Sequence, residues 1–446
     1  MISTIRRRLQ HYDRYLTTAA VVVGLLLAEV VVVRRILAFG PGFVAAAALS
    51  LVGAIAILWR LELGFALLGG LSMYANPAIF DVRGREIDVI HLVGALVVVV
   101  WLLRRLVVQR DLRPPRSRLN TPLLTLVLVW LITWIAGYTF WDMRVPTAQR
   151  QPLFFVTEFG QLLMFIGVFW AVADTVKDER WAKPICATIT IVNASTALTG
   201  GLGWNQTPVA LALTCSLLAF GEADFRVKAG LWLVLGIFLW GLIRVNRIPV
   251  YLASMAVVLV VALFKSRQLF ALLLIIFVIL GVAFIRPLWE VETSVFSRLE
   301  LVKAALSIFR DHPILGIGPT HYRSYAILYH RGLGWHTVER GLLLPHDVWL
   351  YFLANVGIVG LIGILWVVGS MLWGPFSTYR RTEDAFSKVL AVGALACVSG
   401  VLVQSIGGHM GFLPDYSLSS FYMAPVWILM GLMVARRQGT VEEQND

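Results

Sequence analysis

Residues 248–286 read IPVYLASMAVVLVVALF, then KSRQ, then LFALLLIIFVILGVAFIR. Neither apolar run contains a charged side chain between Ile248 and Phe264, or between Leu269 and Ile285. A helix rises 1.5 Å per residue, and about 20 apolar residues cross the hydrocarbon core of a bilayer. Two such runs separated by Lys265-Ser266-Arg267-Gln268 therefore read as one membrane crossing followed by a return.

Working outward, similar runs recur over 16–33, 36–58, 61–79, 87–103, 121–139, 153–173, 182–200, 207–220 and 229–243, and again over 347–373, 386–407 and 419–435. The expected fold is all-α: a polytopic membrane helix bundle of about 12–14 transmembrane helices. The composition agrees. The 446 residues are 59% hydrophobic and only 14% charged, where soluble domains carry about 25% charged residues. Cys186, Cys215 and Cys397 all fall inside apolar runs without paired spacing, which argues against a disulfide framework or a cysteine-rich metal site.

The net charge of +12 is read as topology before it is read as a nucleic-acid footprint. Cytoplasmic ends of membrane helices gather Lys and Arg. With an uncleaved first helix and a cytoplasmic N-terminus, the basic residues concentrate on the inner side, most densely from Arg104-Arg105 to Arg118 around Pro114-Pro115. Both termini are then cytoplasmic. The chain divides into N-terminal transmembrane helices (1–286), a large outer loop (287–346), and C-terminal transmembrane helices with a short cytoplasmic tail (347–446).

The outer loop is the only connection too long to be a turn, and long loops usually carry function. Phe296, Leu299, Val302, Leu306 and Phe309 recur at near-helical spacing, with Arg298, Glu300, Lys303 and Arg310 between them. This predicts an amphipathic helix along the membrane boundary, ended by Asp311-His312-Pro313. Gly316 and Gly318 flank a tight turn, and a second short helix runs from Thr320 to about His330.

Five of the eight histidines (His312, His321, His330, His336, His346) lie in this loop. Their spacing lacks an i, i+3 or i+4 pair, so the metal signal is weak, and a wet polar loop accounts for most of them. His346 stands apart, because it precedes the helix start at Asp347. The positive end of the helix dipole disfavours the imidazolium there, and a neutral imidazole suits a general base. Capping explains Asp347 but not His346.

Lys303 is the one lysine on the outer side; the other basic residues there, including Arg244, Arg247, Arg298 and Arg323, are arginines. A guanidinium fork binds phosphate oxygens bidentately, although snorkelling at helix ends is the plainer account of any single one. Tyr322, Tyr325 and Tyr329 follow at helical spacing and can form a platform for sugar rings or an interfacial aromatic belt. No Walker A sequence is present, and charged residues within spans are few, with Glu29 and Glu158 the main ones. Polarity gathers at the outer face, which favours chemistry there over transport through the bilayer.

Ser297-Arg298-Leu299, Asp311-His312-Pro313-Ile314-Leu315-Gly316-Ile317-Gly318, Pro345-His346-Asp347-Val348-Trp349-Leu350 and Asn355-Val356-Gly357-Ile358-Val359-Gly360-Leu361 together resemble the O-antigen ligase/polymerase superfamily. Asn246-Arg247-Ile248-Pro249 stands where that family has a Ser-Arg-Gly step, and Asp347 stands where it usually has Asn. The resemblance implies a glycosyltransferase of the GT-C type in the bacterial inner (cytoplasmic) membrane, acting at the outer face without metal or cofactor. Its implied donor is a glycan on a polyprenyl-diphosphate (undecaprenyl-diphosphate-like) carrier. The implied acceptor is a glycan or lipid core, as in lipopolysaccharide O-antigen ligation or exopolysaccharide polymerisation. Membrane lipids, and no nucleic acid, are the remaining expected partners.

By that resemblance His346 is the base, with Arg298 and Arg247 on the diphosphate. Arg244, Arg323, Asp347, Tyr322 and Tyr325 are the expected substrate-binding residues. Two alternatives remain beside the ligase or polymerase reading: a flippase-like transporter of lipid-linked oligosaccharide, and a protein O-oligosaccharyltransferase.

Overall fold

The computed structural model describes residues 53–72, 78–81, 86–145, 152–198, 207–244, 248–291, 295–329, 347–406 and 423–443. The chain is helical almost throughout these segments. In order they are α1 (Leu61–Leu71), α2 (Val89–Leu103), α3 (Asn120–Thr139), α4 (Pro152–Thr175), α5 (Glu179–Leu198), α6 (Thr207–Phe220), α7 (Phe225–Arg244), α8 (Ile248–Lys265), α9 (Arg267–Val291), α10 (Val295–Asp311), α11 (Tyr322–Tyr329), α12 (Val348–Arg381), α13 (Ala385–Ser405) and α14 (Ala424–Glu443). Among the described residues, seven helices are long and apolar enough to cross a membrane, and three shorter apolar helices accompany them. This is a polytopic helical membrane protein.

Twelve of the expected spans coincide with a helix; the first lies outside the described residues, and the second is described only from residue 53. One expected boundary moves. The helix that opens the run 61–79 ends at Leu71, and Ala78–Asp81 instead pairs antiparallel with Glu86–Asp88.

Lipid gives helices little hydrophobic reason to associate, so close approach of small residues does much of the packing. Gly400 on α13 lies against Val257 and the Ala253 carbonyl of α8, and Gly431 on α14 against Val172 and the Phe169 carbonyl of α4. Large side chains line the outside. Trp232, Leu233, Trp240 and Ile243 on α7 and Leu272, Ile275, Val278 and Ile279 on α9 are exposed, as expected for surfaces that meet lipid.

At the end of the bundle remote from the loop helices, α2 runs on into a π-helical turn, Arg104–Gln109. Arg105 is buried there. Its guanidinium donates to Asp174 Oδ1 at 2.7 Å and to the Asp111 and Arg113 carbonyls, while Trp101 Nε1 donates to Asp174 Oδ2 at 3.0 Å. Arg436 of α14 bridges Glu179 and Asp384 at 3.0 and 3.4 Å. These pairs tie helix ends together where the sequence places its densest basic run.

Candidate active site

Asp347 opens α12 as sequence predicts. Its Oδ1 accepts from the Trp349 and Leu350 amides at 2.9 and 3.0 Å, satisfying two of the free donors of a helix N-terminus. Burial pushes its carboxyl above the usual range, and the two amide bonds oppose that shift.

Ten residues on, α12 breaks. Gly357 adopts φ 62, ψ −163 inside an otherwise continuous helix, a backbone conformation open essentially to glycine alone. The break frees carbonyls before it and amides after it, and a membrane interior has no water to satisfy them. The turn Pro313–Gly318 does so instead. Ile317 N donates to Ala354 O at 3.1 Å and Gly318 N to Asn355 O at 2.8 Å. In the other direction, Ile358 N donates to Pro313 O at 2.9 Å and Val359 N to Ile314 O at 3.3 Å.

Backbone must approach backbone for this exchange, which is why glycines line it. A Cβ on Gly316 would collide with the Ala354 and Asn355 backbone, one on Gly357 with the Ile314 carbonyl, and one on Gly137 of α3 with the Ile317 carbonyl. Gly316 and Gly318 have φ of 66 and 91, so the flanking-glycine reading of this turn is met.

Side chains fasten the loop helices to the same point. Asn355 is 1% exposed; its Oδ1 accepts from Tyr322 N at 3.1 Å and its Nδ2 donates to Tyr351 O at 2.9 Å. The Tyr322 hydroxyl donates to Leu301 O of α10 at 3.1 Å, and the Tyr325 hydroxyl accepts from Asp142 N at 2.9 Å. His321, also buried, holds its Nδ1 2.8 Å from Ile317 O. A carbonyl only accepts, so Nδ1 carries the proton. The His321 ring meets Trp141 edge-on at 4.9 Å.

Several expectations are thereby revised. Tyr322 and Tyr325 are both 0% exposed, so they do not present ring faces to solvent as a sugar platform. Tyr322 is a strut between α10, α11 and α12. His321 belongs to the packing of the turn rather than to a wet loop. Arg244, at the end of α7, lies over the Trp240 ring at 4.8 Å, an arrangement that suits a snorkelled helix end. For Arg298 on α10 and Arg323 on α11 the structure gives helix positions only, while Arg247 and His346 lie outside the described residues.

A polar cluster that no sequence motif marks sits at this end. Asp142 pairs with Arg144 at 2.7 Å, and the Tyr329 hydroxyl donates to Asp311 Oδ2 at 2.6 Å. The Arg144 guanidinium holds the Asp142 carboxyl below the usual carboxylate range. Burial, helped by Asp311, pushes the Tyr329 phenol up. The His312 ring meets Tyr325 edge-on at 5.9 Å. Only Asp311-His312-Pro313 carries a sequence signal here, and that signal is a helix stop. Among the described residues, no three His, Cys, Asp or Glu side chains converge as metal ligands.

The broken helix, the turn and the two loop helices fall within one continuous stretch of sequence, which Gly137, Trp141, Asp142 and Arg144 join from α3 and its end. No curated protein matches the chain. Residues 213–365 match the O-antigen ligase family, and over that stretch the chain is similar to the O-antigen ligase/polymerase superfamily.

Proposed function

We propose that this protein is a glycosyltransferase that moves a glycan from a polyprenyl-diphosphate carrier to an acceptor hydroxyl at the outer leaflet, as an O-antigen ligase or repeat-unit polymerase. The family match over 213–365 carries this reading. It spans both the glycine turn and the Asp347-capped helix start, and His346 precedes that cap by one residue.

In this reading the acceptor oxygen attacks the anomeric carbon as the bond from that carbon to the diphosphate oxygen breaks. Polyprenyl diphosphate leaves with the bonding electron pair, the configuration inverts, and His346 takes the acceptor's proton. Arg298 and Arg247 stabilise the charge that develops on the diphosphate, the usual place for preorganised cationic donors. Arg244 and Arg323 are secondary contacts. Asp347 holds the helix start and so the position of His346. The diphosphate is a good leaving group, which leaves the acceptor's proton as the main demand on the protein.

Purified protein in proteoliposomes, supplied with lipid-linked glycan and acceptor, tests this. His346→Ala and Arg298→Ala should each abolish transfer with insertion unchanged, and Arg298→Lys should lose much of it because a lysine cannot bind bidentately. Full transfer by both alanine variants would overturn the residue assignment. Movement of the carrier between leaflets without any transfer would favour a flippase.

A further inference from the structure

The end of the bundle remote from the glycine turn has a cavity of its own. Residues 53–59 are helical, Arg60 is extended at φ −138, ψ 105, and the chain turns helical again as α1 from Leu61. Arg104 donates to Leu58 O, one of the carbonyls before this break, at 3.0 Å. Arg60 itself lies against the connection between α4 and α5, its guanidinium over the Trp181 ring at 5.8 Å. Arg60, Glu62, Lys177, Asp178, Arg180 and Trp181 line a cavity of about 540 Å³ there. The transfer chemistry, at the opposite end of the bundle, uses none of them.

Three cations and two carboxylates leave this lining one positive charge in excess. The acids at the α4–α5 connection are engaged. Asp178 pairs with Arg180 at 2.7 Å, Asp174 with Arg105, and Glu179 with Lys183 and Arg436. Arg60 is exposed and meets an indole face instead of a carboxylate among the described residues. Its donors lie in the guanidinium plane, so stacking on a ring leaves them for an anion. An excess of one positive charge matches a phosphodiester, which carries one negative charge, better than a doubly charged monoester or a zwitterion.

Position selects a lipid as the source of that phosphodiester. The cavity lies where α4 ends and α5 and α1 begin, the level at which spans leave the hydrocarbon. Trp59 beside it is 80% exposed, and Ile55, one turn back on the same helix face, is exposed too. A headgroup in the cavity has an interfacial Trp at its side and apolar side chains along its acyl chains. The basic run around Arg104 to Arg118 gathers at this end, which makes it the side whose leaflet attracts such residues through anionic lipid.

We propose that this cavity binds the phosphodiester headgroup of an anionic phospholipid, with Arg60 and Lys177 on the phosphate. The lipid bridges the break before α1 to the α4–α5 connection. This site is independent of the glycosyl-transfer reading.

The test is native mass spectrometry of the full-length protein titrated with dioleoyl phosphatidylglycerol and dioleoyl phosphatidylethanolamine. The wild type should retain phosphatidylglycerol in preference to phosphatidylethanolamine. Arg60→Ala should weaken that retention about fivefold and Arg60→Ala with Lys177→Ala about thirtyfold, the usual worth of one and two basic residues at a membrane surface. Arg226→Ala with Lys228→Ala removes the same charge from exposed positions at the start of α7 and should change nothing. Glu62→Gln should tighten phosphatidylglycerol binding, an effect that misfolding cannot produce. Equal retention of the two lipids, displacement by inorganic phosphate, an unchanged Arg60→Ala variant, or an equal loss in the α7 variant would overturn the proposal.

Discussion

Replacing Gly357 by alanine puts the coupling between the turn and the broken span under direct strain. Alanine can keep the observed φ 62, ψ −163 only in a region that costs about 1–3 kcal/mol for a residue with a Cβ, and that Cβ would overlap the Ile314 carbonyl. It can instead let α12 anneal into a straight helix. Ile358 and Val359 then recover intrahelical acceptors, but Pro313 O, Ile314 O, Ile317 N and Gly318 N lose the partners they have now. Ile317 and Gly318 are buried and each orphaned buried group costs about 1–3 kcal/mol, so annealing loses at least about 2 kcal/mol. On either route the expected destabilisation is about 2 kcal/mol or more, roughly thirtyfold in the folded ratio.

Gly369, in the same helix, has open space where its Cβ would go. Gly369→Ala should therefore gain about 0.5–1 kcal/mol of helix stability. Both variants can be compared by reversible SDS unfolding in bicelles, with amide exchange read at Ile317 and Gly318. A Gly357→Ala protein with the wild-type midpoint and fully protected amides at those two positions would refute the argument that the turn and the break satisfy each other.

Three further outcomes are expected. Asp347→Ala should lose the cap and about 0.5–2 kcal/mol, whereas Asp347→Asn keeps an acceptor for Trp349 and Leu350 without a buried charge. Because burial raises the Asp347 pKa in the folded state, its contribution is fully present below the unfolded value of 3.8 and declines as pH rises through the folded one; unfolding midpoints of Asp347→Asn relative to wild type should therefore improve with rising pH, and a flat difference would contradict this. Arg105→Ala should cost about 3–5 kcal/mol in the same unfolding assay by stranding the part-buried Asp174 carboxylate, and Arg105→Lys should not restore it, since three acceptors at different angles need the fork. Asn355→Leu should leave the buried Tyr322 amide unpaired, lose roughly 1–3 kcal/mol, and speed hydrogen exchange at Tyr322 while leaving Arg105 and the opposite end of the bundle unchanged.

Much of the loop is legible in its residue pattern alone. Phe296 to Phe309 at helical spacing marks α10, Asp311-His312-Pro313 marks its end, and Gly316 and Gly318 mark the turn, because each is a local signal of periodicity or permitted backbone. Tyr322 and Tyr325 mislead for a corresponding reason. Their spacing puts them on one helix face but cannot say which way that face turns. Only the hydroxyl bonds to Leu301 and Asp142, residues 21 and 183 positions away, decide that they point inward. Arg144 and Asp142 belong to no motif, and Asn355 lies in one that says nothing of its partners, since those roles exist only where three separate segments meet.

By itself, the sequence determined that this chain crosses a membrane many times, where most spans begin and end, and that polarity collects in one loop with Asp347 at its exit. Those outcomes follow from apolar length and capping, which are properties of a dozen or two neighbouring residues. Tertiary structure alone decided that α12 breaks at Gly357 and that the turn at 313–318 is what makes the break tolerable. A break in lipid is stable only when distant backbone supplies the missing partners, and no local pattern around Gly357 contains them.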